Sequence, residues 1–359
     1  YPSINIDDPV NIVSGNLVYP VIDGKLKSRH PLVLARVYNS LDTVVTPFGR
    51  GWSSPWFVNL KTVSAGVVIT NSDGSRLLFR KENDVYHAPD GYDATLIYSE
   101  ETGLWTLKHG SGNQWFFNSE GRIISIVKTC CGNGFNNQLK FEYDSDGLLQ
   151  RIDNPAGQSF SILYNHENLI KNVKDSSGRV WSYNYDSDRN LTSVTDPIAR
   201  TVRYRYDQEG FLLEVAKPGA CTTMYSYDRF RLKTVREPTG SETSITWDLN
   251  NRRTVLETTD GKHYVYGFSS DYSLELYALP EASLSKTFEF EALAIKSLTD
   301  SLGNTRHFIY NNDGLCVTHT DKLGHATSCD WHPILKKLTG KTDALGRTWS
   351  YEWCSRGNL

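Results

Sequence analysis

Six cysteines and nine histidines are the side chains from which metal or nucleophile chemistry could be assembled. Adjacent Cys130 and Cys131 could act as a redox pair, but their spacing matches no common zinc motif. Cys329-Asp-Trp-His332 sets one thiol near one imidazole, with no second pair nearby in sequence to complete four ligands. Cys221, Cys316 and Cys354 fall at irregular intervals, so the set defines no disulfide framework and suits a reducing compartment. The histidines are scattered, and none shares a local motif with a nucleophile and an acid that would form a proton relay. Glycoside hydrolysis needs two converging carboxylates, a geometry that sequence spacing does not disclose. A calcium-binding β-roll would need the Gly-Gly-x-Gly-x-Asp nonapeptide, which is absent. The sequence nominates no catalytic residue, no metal ligand and no cofactor site, and the chain is expected to be non-enzymatic.

The aspartates follow a different logic, because they recur. An aromatic-Asp pair occurs at Tyr143-Asp144, Tyr185-Asp186, Tyr206-Asp207, Tyr227-Asp228 and Trp247-Asp248, with Tyr164-Asn165 filling the missing beat. Successive steps are 21, 21, 21, 21 and 20 residues, and weaker copies begin at Phe290, Tyr310, Trp331 and Tyr351. A fixed period of this size indicates an array of identical units, each too small to bury its own apolar face.

One unit shows what is built. Tyr143-Asp-Ser-Asp-Gly147 leads into Leu148, Leu149 and Ile152, and Asp153-Asn-Pro-Ala-Gly157 leads into Phe160, Ile162 and Tyr164. Glycine supplies the positive φ of tight turns, and Asp or Asn hydrogen-bonds the local backbone there. Gly147, Gly178 and Gly210 are therefore expected to include left-handed positions, and Gly314 closes the matching turn after Tyr310. Short alternating runs of β-branched and aromatic residues between the turns read as strands. Each unit is one β-hairpin plus the turn to the next. Tyr183/Tyr185, Tyr204/Tyr206 and Tyr225/Tyr227 put two rings on one side of a strand. They are expected to stack in ladders across hairpins. A carbohydrate platform is the functional alternative to that packing role.

Composition agrees with an all-β chain: 20 Tyr, 14 Phe, 9 Trp and 27 Gly accompany a single Met in 359 residues. Formal net charge is −3 and dispersed, with no basic stripe for a phosphate backbone, so no nucleic-acid partner is expected. No apolar run approaches membrane-spanning length. About ten units give roughly twenty strands, beyond the size at which a twisted open sheet must curl, split or flatten. A β-propeller is the rival, but the Gly-His and Trp-Asp blade signature is missing and the elementary period is half a blade. The expected architecture is a large curled or spiralling sheet of tandem hairpins, part of a hollow shell. Residues 1–140 form an irregular N-terminal segment and 141–359 the regular array, within one continuous unit. Tyr1 is not a translation start, and the chain stops at Leu359 partway through a repeat, as expected of a piece of something longer.

The N-terminal motifs carry a family resemblance. Asp8-Pro-Val-Asn-Ile-Val-Ser-Gly15 is followed by Arg36-Val-Tyr38 and then Gly49-Arg-Gly51-Trp52. With the phased aromatic-Asp-x-x-Gly units downstream, this resembles an Rhs/YD-repeat protein along essentially the whole chain. Asp8, Pro9, Gly15, Arg36, Tyr38, Gly49, Gly51 and Trp52 are the N-terminal signature. The resemblance implies a hollow shell around a variable C-terminal toxin, made in the bacterial cytoplasm. Delivery would be by type VI secretion or by insecticidal toxin complexes. It implies as partners the rest of the same chain with its cargo, a secretion spike or adaptor, and an immunity protein. Teneurins, which are similar, imply the alternative of a cell-surface adhesion or glycan-binding array. The Asp-Pro-x-Gly junction of cargo release does not follow Tyr351, and Asp196-Pro197 lies inside an ordinary repeat.

Overall fold

The computed structural model describes residues 10–28, 30–110, 112–127, 138–279, 284–291, 294–354 and 359. Asp8, Pro9, Cys130 and Cys131 lie outside the described residues. Among those described, 34 β-strands and a single 3-10 turn at Pro55–Phe57 make up the regular structure. The chain is all-β.

It divides into two compact units, one within Asn5–Thr129 and Asn133–Gly240, the other mainly Ser241–Leu359. In the first unit, each strand from Asn59–Val63 to Arg231–Arg236 pairs antiparallel with the next in sequence. The sheet is thus a meander of hairpins. Asn59 also bridges Arg122, and Leu60 N–H donates to Gly121 O at 2.9 Å, returning the first strand to the turn between Gln114–Phe117 and Ile123–Val127. Alternation puts one side chain of every second position into the core. Phe141 faces Ile152, and Tyr204 faces Val215, all four at most 6% exposed. Each such burial contributes about 1.5–3 kcal/mol relative to exposure.

The second unit repeats this pattern from Glu242–Asp248 to Thr348–Ser350. Its core is thinner. Ile245, Leu256, Tyr266 and Phe268 are buried, but beyond Ala294 only Ser297 is buried among the described residues.

The ladder slips by one residue at Tyr143, Tyr164, Tyr185, Tyr206, Tyr227, Phe268, Phe290, Tyr310 and Trp331. Such β-bulges raise the local right-handed twist. Trp247 differs, because its strand pairs without a bulge. The 20-residue step before it has its own cause: Asp228 pairs with Arg231, leaving a tighter turn than the one after Tyr206, which pairs with Leu212.

Residues 10–58 of the first unit are built otherwise. Strands β1 (Val18–Leu26), β2 (Leu32–Asn39) and β5 (Trp52–Ser53) form a separate three-stranded sheet, and β3 (Val45–Thr46) pairs β4 (Gly49–Arg50). Strand β2 alternates strictly: Leu32, Leu34, Arg36 and Tyr38 are buried, and the residues between them are half-buried. The signature residues Gly15, Arg36, Tyr38, Gly49, Gly51 and Trp52 therefore belong to a discrete N-terminal segment, distinct from the irregular hairpins of 59–127.

Candidate functional site

Two devices recur along the repeats. The first is the Asp or Asn after the aromatic residue. Asp144 Oδ1 accepts from Asp146 N–H at 3.0 Å and Leu148 N–H at 2.8 Å, closing the turn ahead of Gly147. Asn165, Asp186, Asp207 and Asn311 do the same at their turns. At the opposite ends of the strands Asn154, Asp175, Asp196, Asp300, Asp321 and Asp343 repeat the geometry. Gly147, Gly210 and Gly314 have φ of 76°, 93° and 73° in these turns. His332 substitutes for the acid: its Nδ1 accepts from Ile334 and Leu335 N–H at 3.2 and 3.1 Å. Asp228 and Asp248 both lie in the ladder, opposite Arg231 and Arg253, and Asp248 also caps Asn251 N–H at 3.1 Å.

The second device is the tyrosine hydroxyl. Tyr164, Tyr185, Tyr206 and Tyr227 each donate to the carbonyl fifteen positions earlier, at Leu149, Ile170, Leu191 and Leu212, over 2.8–3.1 Å. Tyr143 reaches back to Ile123 O at 2.7 Å. Trp331 and Trp353 make the same bond with their indole N–H, to Cys316 and Leu338. The last repeat aromatic is therefore Trp353, correcting the expectation of Tyr351, and Phe268 occupies a beat that pattern counting missed. Neither has an acid after it, so the Tyr-Asp signal was blind to both.

The face carrying these tyrosines in the first unit is occupied by the N-terminal segment. Trp52 Nε1–H donates to Tyr206 Oη at 2.8 Å, and Trp181 Nε1–H to Asp23 O at 2.9 Å. Tyr38 Oη donates to Gly210 O at 3.1 Å and accepts from Leu212 N–H at 3.0 Å. Pro47 O accepts from Ile170 N–H at 2.7 Å, and Arg50 N–H donates to Arg189 O at 2.9 Å. Gly49 sits so close that a Cβ would lie 2.7 Å from Arg189 O. Gly15 lies against Arg231, and its carbonyl accepts from Leu232 N–H at 3.0 Å. The rings of Tyr183, Tyr204 and Tyr206 meet Phe48, Trp52 and Tyr38 at 5.4, 5.2 and 6.1 Å. For these three residues the partner of the ring is the N-terminal segment and not the ladder of neighbouring tyrosines that spacing suggested.

At the centre lies a buried ion pair. Arg36 Nε–H donates to Asp23 Oδ2 at 2.8 Å, with side chains 0% and 6% exposed. Tyr183 Oη donates to the same carboxylate at 3.0 Å, and Arg36 stacks over Trp52 at 4.2 Å. Burial opposes the Arg36 charge, but Asp23 outweighs it and holds the guanidinium protonated. Burial also pushes the Tyr183, Tyr185 and Tyr206 hydroxyls well above the usual tyrosine range, so they stay neutral donors.

A cavity of about 400 Å³ beside the segment is lined by Asp42, Arg76, Arg122, Tyr143, Leu148 and Tyr164, among others. Among the described residues no three His, Cys, Asp or Glu side chains are grouped to hold a metal ion. Cys221, Cys316 and Cys329 are free thiols.

The teneurin YD-shell family profile matches residues 111–344. This chain belongs to that family. A domain of unknown function (DUF6531) matches residues 7–79, which include the segment seated on the tyrosine face of this YD-shell chain. The tRNA nuclease WapA of Bacillus subtilis is 28% identical over 142 residues, 39% of this chain and 6% of that protein. The probable deoxyribonuclease RhsA of Dickeya dadantii is 26% identical over 169 residues, 44% of this chain and 11% of that protein. The YD-shell chain thus spans no more than 11% of the length of these two curated relatives. A Photorhabdus luminescens Tc holotoxin pore is 10% identical, covering 96% of this chain and 22% of that chain with a TM-score of 0.38. A TcdB2-TccC3 crystal structure is 12% identical over 81% of this chain and 21% of that chain, with a TM-score of 0.35. No helix among the described residues is long and apolar enough to cross a membrane.

Proposed function

We propose that this chain is a wall segment of a YD-repeat toxin shell, and that the complete polypeptide encloses a C-terminal toxin domain. The observation that carries this reading is the covered tyrosine face. The aromatic positions that could have formed a ligand platform are spent on hydrogen bonds between repeats and on the N-terminal segment. Such a surface builds a wall and leaves no room for a glycan on those rings. Catalytic activity, in this reading, belongs to the cargo and not to residues 1–359. In this reading the repeats supply the wall, and the chain is made in the bacterial cytoplasm and delivered to a target cell. Confinement at high effective concentration substitutes for tight binding of the cargo.

Limited proteolysis of the complete polypeptide tests this, intact and after mild unfolding of the repeats. The expected result is a C-terminal domain that resists cleavage until the repeats open. A C-terminal domain cut equally fast in both states, with the repeats resistant, overturns enclosure and favours an exposed adhesion array.

A further inference from the structure

The two units differ at equivalent places in the repeat. Residues opposite each other in an antiparallel ladder share one face of the sheet. In the first unit Ile152 faces Phe160, Val173 faces Trp181 and Val194 faces Val202, all on the face where Trp181 meets the N-terminal segment. The same places in the second unit put Tyr277 opposite Lys286, Leu298 opposite Arg306, and Lys341 opposite Trp349. Phe288 faces Leu298 and Phe308 faces His319 on that face as well. Cations thus stand among aromatic rings where the first unit is apolar. This face is open among the described residues: Phe288, Leu298 and Phe308 are half-buried, and Arg306 and Trp349 are exposed. Ser297, the one buried residue beyond Ala294, lies on the opposite face with Glu289 and His307.

The charges of these strands divide by face. Glu289 faces Ser297 and Asp330 faces Gly340, one step out of phase with Phe288 and Cys329, so both acids lie on the side away from the cations. The ion pairs described in this unit join Lys262 to Asp260, Lys336 to Asp313 and Arg347 to Asp343, and set His263 and His325 beside acids. None of them reaches Lys286, Arg306 or Lys341. Lys286 stands opposite Asp300 in the ladder, but that carboxylate accepts from the N–H groups of Leu302 and Asn304 and from the Asn304 side chain. Asp321 is held in its own turn by Leu323 and His325 in the same way. Lys341 and Arg347 lie over the Trp349 ring at 5.5 and 5.9 Å.

We infer that this face docks an acidic, extended polypeptide, with carboxylates on Lys286, Arg306 and Lys341 and apolar side chains on Phe288, Leu298 and Phe308. Charge complementarity selects the partner, because unpaired cations on one face are matched by acids brought from outside. Lys286 and Arg306 stand two strands apart and Arg306 and Lys341 three, roughly 9.5 and 14 Å at the usual strand spacing. An extended chain advances about 3.3 Å per residue, so acids about three to four residues apart meet these cations in turn. A nucleic acid fits less well. Its backbone carries charge at every step and would run against the turn carboxylates Asp300, Asp321 and Asp343 beside the row. The docking face is independent of the toxin-shell reading, because it needs only the charges and rings of this unit.

Fluorescence anisotropy of this chain with labelled peptides tests it. The probe is a peptide of about ten residues, long enough to span the row, with glutamate at every third position and leucine and serine between. Its counterpart carries lysine in place of each glutamate. The expected result is saturable binding of the glutamate peptide, weakened by added salt, and no binding of the lysine peptide. The triple variant Lys286→Gln, Arg306→Gln, Lys341→Gln should bind about tenfold more weakly, with an unchanged circular dichroism spectrum. Arg253→Gln, on the opposite face, should leave binding as it was. A chain that ignores the glutamate peptide, or binds both peptides equally, overturns the proposal. So does binding that the triple variant leaves undiminished. A single-stranded oligonucleotide of similar length that binds more tightly than the peptide, through the same three cations, also overturns it and assigns the face to nucleic acid.

Discussion

The Tyr206 hydroxyl stands between two partners: it accepts from Trp52 Nε1–H at 2.8 Å and donates to Leu191 O at 2.9 Å. One atom thereby joins a repeat both to its predecessor and to a residue 154 positions away. Tyr206→Phe removes both bonds and leaves a buried indole N–H and a carbonyl unpaired, each costing about 1–3 kcal/mol. Tyr164→Phe frees only Leu149 O. Urea unfolding should show the larger loss for Tyr206→Phe, by at least about 1 kcal/mol, and equal losses would contradict the bridging role.

Asp23 and Arg36 supply a second contrast. Arg36→Met alone strands a carboxylate that is 6% exposed and should cost about 3–5 kcal/mol. Combining it with Asp23→Leu removes both charges, and the double variant should be more stable than the single one. Denaturant midpoints of the two single variants and the double variant settle the sign.

Acid should weaken the turns. Burial alone would raise the Asp175 and Asp196 carboxyls, but the N–H groups and arginine side chains of their own turns together hold both below the usual value. Asp343 behaves likewise. A depressed folded pKa means stability that is fully present above the ordinary aspartate range and lost as pH falls through it, below about pH 4. The urea midpoint should therefore be flat from pH 7 to 5 and drop toward pH 3. Asp196→Asn, which keeps the turn acceptor but not the charge, should reduce the acid-limb slope.

Two glycines separate conformation from crowding. Gly178 has φ of 87° and open space where a Cβ would be, so Gly178→Ala should cost only about 1 kcal/mol. Gly121 has φ of 80°, and a Cβ there would lie 1.7 Å from Leu60 O. Gly121→Ala should cost at least twice as much in thermal or urea unfolding. Equal losses would mean that the contact at Leu60 yields freely.

The repeat, its hairpins and its turn glycines were legible in the sequence because they rest on local physics. Asp144 and Gly147 act within five residues of each other, and such spacing survives in a string of letters. The aromatic ladder was legible only in part. A tyrosine hydroxyl reaching back fifteen positions needs no particular residue at its target, since a backbone carbonyl accepts, so nothing at Leu149 or Leu191 announces the bond. Trp353 and Phe268 went uncounted because the acid that marks the beat is missing beside them. The N-terminal signature was recognised as a motif, but its seat was not. The hydrogen-bond partners of Tyr38 and Trp52 across the tyrosine face lie more than 150 residues downstream, and pairing at that range leaves no periodic trace.

The order of synthesis turns that separation into a timing problem. Residues 10–58 leave the ribosome before the repeats they cover, yet His30 finds Asn154 only 124 positions later and Val13 finds Arg231 after 218. At roughly 5–20 residues per second, the wait is on the order of ten to forty seconds. Throughout it, the face of Leu32, Leu34 and Tyr38 that ends up sealed is bare, on a short hairpin with nothing to lie against. Nascent chains of this kind are exposed to misassembly at this segment, and a holding chaperone acting on residues 18–39 would serve them until their partners between Asn154 and Leu212 arrive.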